Sequence, residues 1–319
     1  MSNKINTYSY EYQQLINTYN TNIKKINKLN ISIKNKKILF QKLYIGLQKQ
    51  IQNLKLKYQQ ISAQQQQTQQ QQQTQPMNKC LAIGINYIGS EYELFGCIND
   101  ANNIINMLKN NFNYTQNILI TDNTNIKPTK QNIIDQFTNL LKYSKSGDNL
   151  FFVFSGHGSQ IIDSNGDEND GLDEVIVSKD LKYISDDQFR NIIHDNLKQN
   201  VRLFCIFDSC HSGTCFDLRY NENGTINNSI IDTISQVFFI SGCKDEQTSE
   251  DAYLNGKNTG ALTFGFLEII KKYNYLKSDI TYKQFMDDLR QILIDNNFSQ
   301  TPQLSYGQPI NVEEELFKL

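Results

Sequence analysis

The chain has 319 residues, enough for one large domain or two smaller ones, and its formal net charge is only −2. The charge is unevenly divided: residues 1–75 hold eleven lysines and one acid, about +10, so residues 76–319 carry about −12. No apolar run approaches the ~18 residues of a membrane span, and the polar N-terminus lacks the apolar core of a signal peptide.

The N-terminal segment is patterned as a helix. Residues 1–61 contain no proline, and their apolar residues recur at alternating spacings of three and four, with Asn30 and Lys37 as polar members of the seam. This pattern predicts a helical, coiled-coil arm; the alternative is a long amphipathic helix folded back on the rest of the chain. The charge contrast predicts docking of this arm on the acidic body, with nucleic acid or an anionic membrane as the rival partner.

A low-complexity segment follows the arm. Residues 62–76 are mostly Gln and end at Pro76, which is typical of a linker. We therefore expect a domain boundary near residue 76 and a folded domain over residues 77–319.

In that domain, strand patterns alternate with helix patterns. Strands are predicted at residues 79–86, 117–121, 149–154, 174–178, 201–207 and 237–241. Helices are predicted at residues 99–110, 129–143, 186–197, 259–273 and 281–295. This alternation predicts an α/β fold with βαβ units and a doubly wound, mostly parallel sheet.

Two of these strands contain long apolar runs and lead into reactive side chains. Residues 149–154 lead to His157, which lies between two glycines, and residues 201–207 lead to Cys210. Ligands of parallel sheets bind beyond the carboxyl ends of the strands, so neighbouring strands would bring His157 and Cys210 together. A thiol beside an imidazole is the arrangement of cysteine nucleophile catalysis. The amides of Gly158 and Cys210 are candidates for the oxyanion hole.

Other reactive-looking residues have plainer interpretations. His194 is expected on a helix surface, and His211 is expected to point away from the cleft. The acidic stretch 163–174 spaces its oxygen ligands like an EF-hand, but Glu168 stands where that loop requires glycine.

Five motifs in the second domain carry a family resemblance. They are L-F-G-C-I-N-D-A (94–101), S-G-H-G-S-Q (155–160), D-S-C-H-S-G (208–213), I-S-G-C-K-D-E-Q-T-S (240–249) and T-G-A-L-T-F (259–264). In this order they closely resemble a metacaspase over roughly residues 79–310. The 53-residue spacing from His157 to Cys210 is that of caspases, although the cysteine signature of true caspases is absent.

The resemblance implies a caspase-like three-layer α/β/α sandwich with a mostly parallel central sheet. It implies a type I-like division into a large-subunit-like part (77–217), an intersubunit linker (218–235) and a small-subunit-like part (236–319). The implied activity is that of a cysteine endopeptidase that cleaves after Arg or Lys.

The resemblance also assigns the site residues. It makes Cys210 the nucleophile and His157 the general base and acid, and it places Asp100, Ser155 and Asp208 in the substrate pocket. Two carboxylates suit a guanidinium or ammonium group and argue against sister-clan enzymes specific for Asn or Asp. Asp100 also has a structural interpretation, because a carboxylate near a helix N-terminus is stabilised by the helix dipole. That role is compatible with substrate binding.

Calcium is the cofactor that the resemblance implies. The implied ligands are Asp173, Asp186, Asp187 and Asp217, all hard oxygen donors of the kind that Ca²⁺ prefers. The alternative for Asp186 and Asp187 is helix capping after Ser185.

A Lys-rich arm on an enzyme that prefers Lys and Arg predicts a latent precursor. We expect self-cleavage near Lys55 or Lys57, with a second cut near Arg219. The expected partners are protein or peptide substrates and, through the arm, other copies of the chain, with no nucleic acid and no membrane. Six cysteines without a CxxC pair favour free thiols in the cytoplasm. The rival function is an inactive or weakly active assembly protein that uses its coiled coil and Gln tract.

Overall fold

The computed structural model describes residues 2–162, 171–209, 216–242, 251–254 and 257–319. Two units make up the chain, Met1–Gln75 and Pro76–Leu319, and each is described by itself. Within the described ranges, no helix has both the length and the apolarity needed to cross a bilayer.

The first unit is an antiparallel pair of helices, α1 (Ser2–Lys28) and α2 (Ile33–Thr74). Ser32 caps α2 by accepting the N–H of Asn35 at 3.3 Å. α2 continues through the Gln-rich residues that the sequence analysis assigns to a linker. Glutamine is a fair helix former, so the tract extends the helix that precedes it.

The heptad seam of the arm lies between these two helices. Leu47 and Leu54 are buried along it, and the rings of Tyr8 and Tyr58 meet edge to face with centroids 5.1 Å apart. The pattern predicted one continuous seam, but the chain reverses at residues 29–32, so the second half of the seam packs against the first. A coiled coil between different chains stays a prediction.

The described residues of the second unit form twelve strands and five helices. The strands are β1 (Asn78–Gly84), β2 (Tyr114–Thr121), β3 (Asn149–Ser155), β4 (Gly158–Ile162), β5 (Leu172–Val177), β6 (Tyr183–Ser185), β7 (Arg202–Asp208), β8 (Tyr220–Asn221), β9 (Val237–Ser241), β10 (Asp251–Leu254), β11 (Lys257–Gly260) and β12 (Gln303–Tyr306). The helices are α3 (Cys97–Asn111), α4 (Lys130–Lys142), α5 (Asp186–Asn196), α6 (Ala261–Lys272) and α7 (Tyr282–Asp295).

Seven of the described strands form the main sheet, in the order β2-β1-β3-β7-β9-β12-β8. The first five of these run parallel, and β12 pairs antiparallel with both β9 and β8. β3 and β7, which lead to His157 and Cys210, are neighbours at the centre of the sheet, so the condition that the sequence analysis set for bringing these two residues together is met.

Helices cover both faces of this sheet. On one face Phe137 of α4 stacks on Phe152 of β3 with centroids 4.5 Å apart, and Phe189 of α5 lies beside them. On the other face the rings of Phe266 of α6 and Phe151 of β3 meet edge to face, with centroids 6.4 Å apart. Consecutive strand residues point to opposite faces, so β3 supplies both cores. The predicted three-layer sandwich with a mostly parallel sheet is confirmed.

Short strands account for most of what the sequence analysis missed. β4, β5 and β6 form a three-stranded antiparallel sheet, and β10 pairs with β11 as a hairpin. Only β5 among them was predicted, because the others are brief and partly polar. Residues 259–260, assigned to a helix by sequence, end β11 instead.

Candidate active site

The carboxyl ends of β3 and β7 bring two predicted site segments together. Ser155 pairs in register with Asp208, and the N–H of Gly156 donates to the carbonyl oxygen of Asp208 at 3.3 Å. His157 follows directly. Cys210 lies outside the described residues, two positions beyond Asp208. The histidine and the strand that precedes the predicted nucleophile therefore share one edge of the sheet.

The imidazole of His157 is oriented by a backbone carbonyl. Its Nε2 lies 2.8 Å from the carbonyl oxygen of Tyr92, and the ring is half-buried. A carbonyl oxygen only accepts, so Nε2 carries the hydrogen and Nδ1 is the nitrogen that takes up a proton. Sequence reasoning missed Tyr92 because a backbone carbonyl has no side-chain signature.

The three predicted substrate-binding residues also come together. The hydroxyl of Ser155 donates to Oδ2 of Asp100 at 2.8 Å, and the N–H of Thr263 donates to Oδ2 of Asp208 at 2.8 Å. The two acidic residues are 0% and 3% exposed. A pair of buried carboxyl groups thus lies beside the strand ends that lead to the predicted dyad.

The end of β11 completes this acidic cluster, and the sequence analysis did not assign it a role. The hydroxyl of Thr259 donates to Oδ1 of Asp100 at 2.6 Å, and the N–H of Gly260 lies 3.2 Å and 3.0 Å from its two oxygens. A Cβ at Gly260 would lie 2.2 Å from Oδ2 of Asp208, so a side chain there would displace that carboxyl group. The motif T-G-A-L-T-F was the only signal, because about half the chain separates this segment from Asp100.

The environment of Asp100 disfavours its negative charge. Burial first and then the nearby charge of Asp208 raise the pKa of Asp100 well above its ordinary range, although hydrogen bonds from Thr259, Ser155 and Gly260 oppose the rise. Two like charges in one buried site are poorly tolerated unless a cation joins them. The cluster is therefore suited to receive a positively charged group.

The residues predicted to bind calcium lie near the start of α5. Asp173, Asp186 and Asp217 are buried. Asp186 accepts the N–H of Glu174 on Oδ2 at 2.8 Å and the N–H of Asp187 on Oδ1 at 2.7 Å. These bonds tie the first turn of α5 to β5.

The N-cap position of α5 is held by neither Asp186 nor Asp187. Ser185 caps α5, since its hydroxyl accepts the N–H of Gln188 at 3.4 Å and the Gln188 side chain returns a bond to the backbone of Ser185. The N-cap role therefore belongs to Ser185, while Asp186 binds a backbone N–H within the first turn of the same helix.

A basic side chain lies beside one of the predicted calcium ligands. Nη1 of Arg190 is 3.9 Å from Oδ2 of Asp217, and both residues line a cavity of about 730 Å³ together with Asp187. Across the described ranges, no three His, Cys, Asp or Glu side chains are grouped as metal ligands. The chemistry of the four carboxylates fits Ca²⁺, while their grouping around an ion is not part of this conformation.

The remaining predicted residues are placed as follows. Gly158 begins β4, directly after His157. His194 is exposed on α5, with Nδ1 3.0 Å from Oδ1 of Asp195. His211 and residues 163–170 of the EF-hand-like stretch lie outside the described residues.

Comparisons with known proteins by family model and by sequence identity both find metacaspases. A family model described as metacaspase, peptidase C14 domain, matches residues 78–219. The chain is 35% identical over 295 aligned residues to Metacaspase-1 of Saccharomyces cerevisiae, covering 73% of this chain and 67% of that protein. It is 34% identical over 298 residues to Metacaspase-1 of Schizosaccharomyces pombe, covering 75% and 69%. A solved protein of Geobacter sulfurreducens shares the fold, with a TM-score of 0.57 and 22% identity over 74% of this chain and 95% of that one.

Proposed function

This chain belongs to the metacaspases, the peptidase C14 family of cysteine-type peptidases, and we propose that it cleaves peptide bonds after Arg or Lys. Cys210 is the proposed nucleophile and His157 the proposed general base. The observation that supports this specificity is the buried acid pair, Asp100 and Asp208, beside the strand ends that lead to both residues.

In the proposed reaction His157 carries a proton in both acylation and deacylation. Nδ1 of His157 takes the thiol proton of Cys210, and the thiolate attacks the carbonyl carbon of the scissile bond. The N–H groups of Gly158 and Cys210 bind the oxyanion that forms. As the C–N bond breaks, His157 gives its proton to the leaving amine, and a thioester remains. Water then gives a proton to Nδ1 and attacks the thioester, and the proton returns to the departing sulfur.

Charge decides which side chain enters the pocket. Asp100 and Asp208 repel a third carboxylate, which disfavours substrates cut after Asp. An Asn side chain offers one neutral amide, whereas a guanidinium offers five N–H donors and a full positive charge. Entry of Arg or Lys therefore relieves the repulsion between the two acids.

We further propose that calcium activates the enzyme through Asp173, Asp186, Asp187 and Asp217. The support is an all-carboxylate donor set in which three of the four residues are buried. The ion would supply positive charge that offsets the mutual repulsion of these acids. Asp217 would then exchange its contact with Arg190 for the ion.

One experiment tests specificity and calcium dependence together. We expect kcat/KM for fluorogenic Arg and Lys peptides to exceed that for Asn and Asp peptides by at least ~100-fold, because an acidic pocket selects by charge. Arg cleavage should be faster in calcium than in chelator, and calcium should raise the melting temperature.

Cys210→Ala is the negative control in this experiment, because it lacks the proposed nucleophile. Faster cleavage after Asn or Asp would refute the acidic-pocket proposal, and equal rates in calcium and chelator would refute activation. A wild type that cuts none of the peptides under either condition would favour the assembly-protein alternative.

We also propose that the chain is made as a latent precursor. The support is the charge contrast between residues 1–75 and residues 76–319. Lys57 lies within α2 and pairs with Glu11 at 2.9 Å, so a cut there requires the helix to open into an extended strand.

Self-cleavage is tested by intact-mass analysis after calcium addition. We expect an N-terminal fragment ending near Lys55 or Lys57 to leave the wild type within minutes to hours, while Cys210→Ala stays whole. An intact wild-type chain that cleaves Arg peptides at full rate would contradict the latent-precursor proposal.

A further inference from the structure

We propose that Tyr87 is a positioning residue that holds His157 in the orientation its base role requires. The inference rests on the proposed base role of His157 and adds a residue that the family resemblance did not assign. Tyr87 lies in the loop after β1. Its side chain reaches across to His157, which follows the neighbouring strand β3.

The hydroxyl of Tyr87 joins two backbone groups. It accepts the N–H of His157 at 2.9 Å and donates to the carbonyl oxygen of Val177 at 2.6 Å. The N–H of Val177 in turn donates to the carbonyl oxygen of His157 at 2.9 Å. A Cβ at Gly156 would lie 3.0 Å from this hydroxyl, so the glycine before the histidine leaves room for it. The backbone of His157 is therefore held on both sides.

The ring of Tyr87 holds the imidazole itself. The two ring centroids are 4.6 Å apart at an angle of 39°, while Nε2 of His157 is bonded to the carbonyl oxygen of Tyr92. One contact supports a face of the ring and the other fixes its edge. Together the two contacts fix the orientation of the imidazole and therefore the direction of Nδ1.

Tyr87 is in turn held in a strained conformation. Its φ is +51°, in the left-handed region that disfavours residues other than glycine. Asp122 stabilises this turn: Oδ2 accepts the N–H of Asn86 at 2.7 Å and Oδ1 accepts the N–H of Ile88 at 3.3 Å. Nζ of Lys179 lies 2.5 Å from Oδ1 of the same carboxylate. Strain of this kind persists where surrounding contacts over-determine it, as they do here.

The hydroxyl keeps its proton throughout the working pH range. Tyr87 is 2% exposed, and burial raises the pKa of its hydroxyl well above the ordinary value. It therefore remains a donor to Val177 and an acceptor for His157 at the same time.

Tyr87→Phe tests the proposal, because it keeps the ring and removes both hydroxyl bonds. We expect kcat for an Arg peptide to fall ~10- to 100-fold with KM within about twofold, the signature of a misplaced catalytic group. The pH dependence of Cys210 alkylation by iodoacetamide should also change. Its midpoint should move toward ~8.5, the pKa of an isolated thiol. Lys179→Met, which loosens Asp122 without touching either hydroxyl bond, should move both readouts in the same direction by less.

Tyr114→Phe is the matched control. Tyr114 is 1% exposed, and within the described part of the chain its hydroxyl has no hydrogen-bond partner. This variant should keep wild-type kcat and the wild-type alkylation profile. A Tyr87→Phe protein that behaves like Tyr114→Phe in both readouts would overturn the proposal. If the wild type cleaves no Arg peptide, the specificity proposal fails, while the alkylation profiles still decide the role of Tyr87.

Discussion

His157→Ala is expected to lower kcat/KM for an Arg peptide by about 10³- to 10⁴-fold. The imidazole takes the proton from the thiol and returns it to the leaving amine, so its removal slows both formation and breakdown of the tetrahedral intermediate. The measurement is steady-state cleavage of a fluorogenic Arg peptide in calcium, with Cys210→Ala as the baseline. Because a nucleophile and its base act as a unit, the double variant should be no slower than Cys210→Ala alone.

His194→Ala is the control for this prediction. Its side chain is 69% exposed on α5 and pairs only with Asp195 among the contacts described, so activity should stay within about twofold of wild type. A His157→Ala enzyme that keeps more than about a tenth of wild-type activity would show that another group activates the thiol.

Asp100→Asn is expected to lower activity toward Arg peptides and to raise the stability of the fold. The amide is close in size to the carboxylate and has no charge, so kcat/KM for Arg peptides should fall by about 10²- to 10³-fold. The free energy of unfolding at neutral pH should rise, because the variant no longer buries a negative charge beside Asp208.

The sign of the pH effect follows from the direction of the pKa shift. The pKa of Asp100 is raised in the folded state above an unfolded value of ~4, so below that value the carboxyl is protonated in both states. As the pH rises from there toward the folded-state pKa, the unfolded chain loses the proton first, and the free energy of unfolding falls. Asn removes this contribution. Urea unfolding of both proteins across that pH window should therefore show wild type losing stability relative to the variant.

Asp148→Asn supplies a contrasting control. Asp148 is also buried, but Nζ of Lys79 lies 2.6 Å from its Oδ2, so the change leaves a lysine without its counter-ion. That variant should lose stability and keep the preference for Arg and Lys. If Asp100→Asn behaves in the same way, the acid pair has a structural role rather than a substrate-binding one.

The central chemistry was accessible from sequence because it follows strand ends. Long apolar runs identify β3 and β7, and polar residues directly after such runs must gather at one edge of a parallel sheet. The predicted neighbours Ser155 and Asp208 are in register for this reason. The pocket role of all three residues came from the family resemblance, and for Asp100 no strand end supports it, since a helix start has no fixed partner in sequence.

What sequence reasoning missed depends on distant or backbone contacts. Thr259 and Gly260 reach Asp100 from a short hairpin, and no local pattern encodes a contact across that separation. Tyr92 acts through its carbonyl oxygen, which every residue has. The reversal at residues 29–32 was also missed, because a heptad repeat reads the same whether its partner is another chain or the same one.

The central sheet has a consequence for any cut after Arg219. β7 lies on the N-terminal side of that cut and pairs with β9 on the C-terminal side, and Phe216 meets Phe239 across it with ring centroids 4.7 Å apart. A nick at that bond leaves these interactions in place. The two pieces would migrate as one particle under native conditions and separate only in denaturant, so hydrolysis there changes the covalent chain without dismantling the folded enzyme.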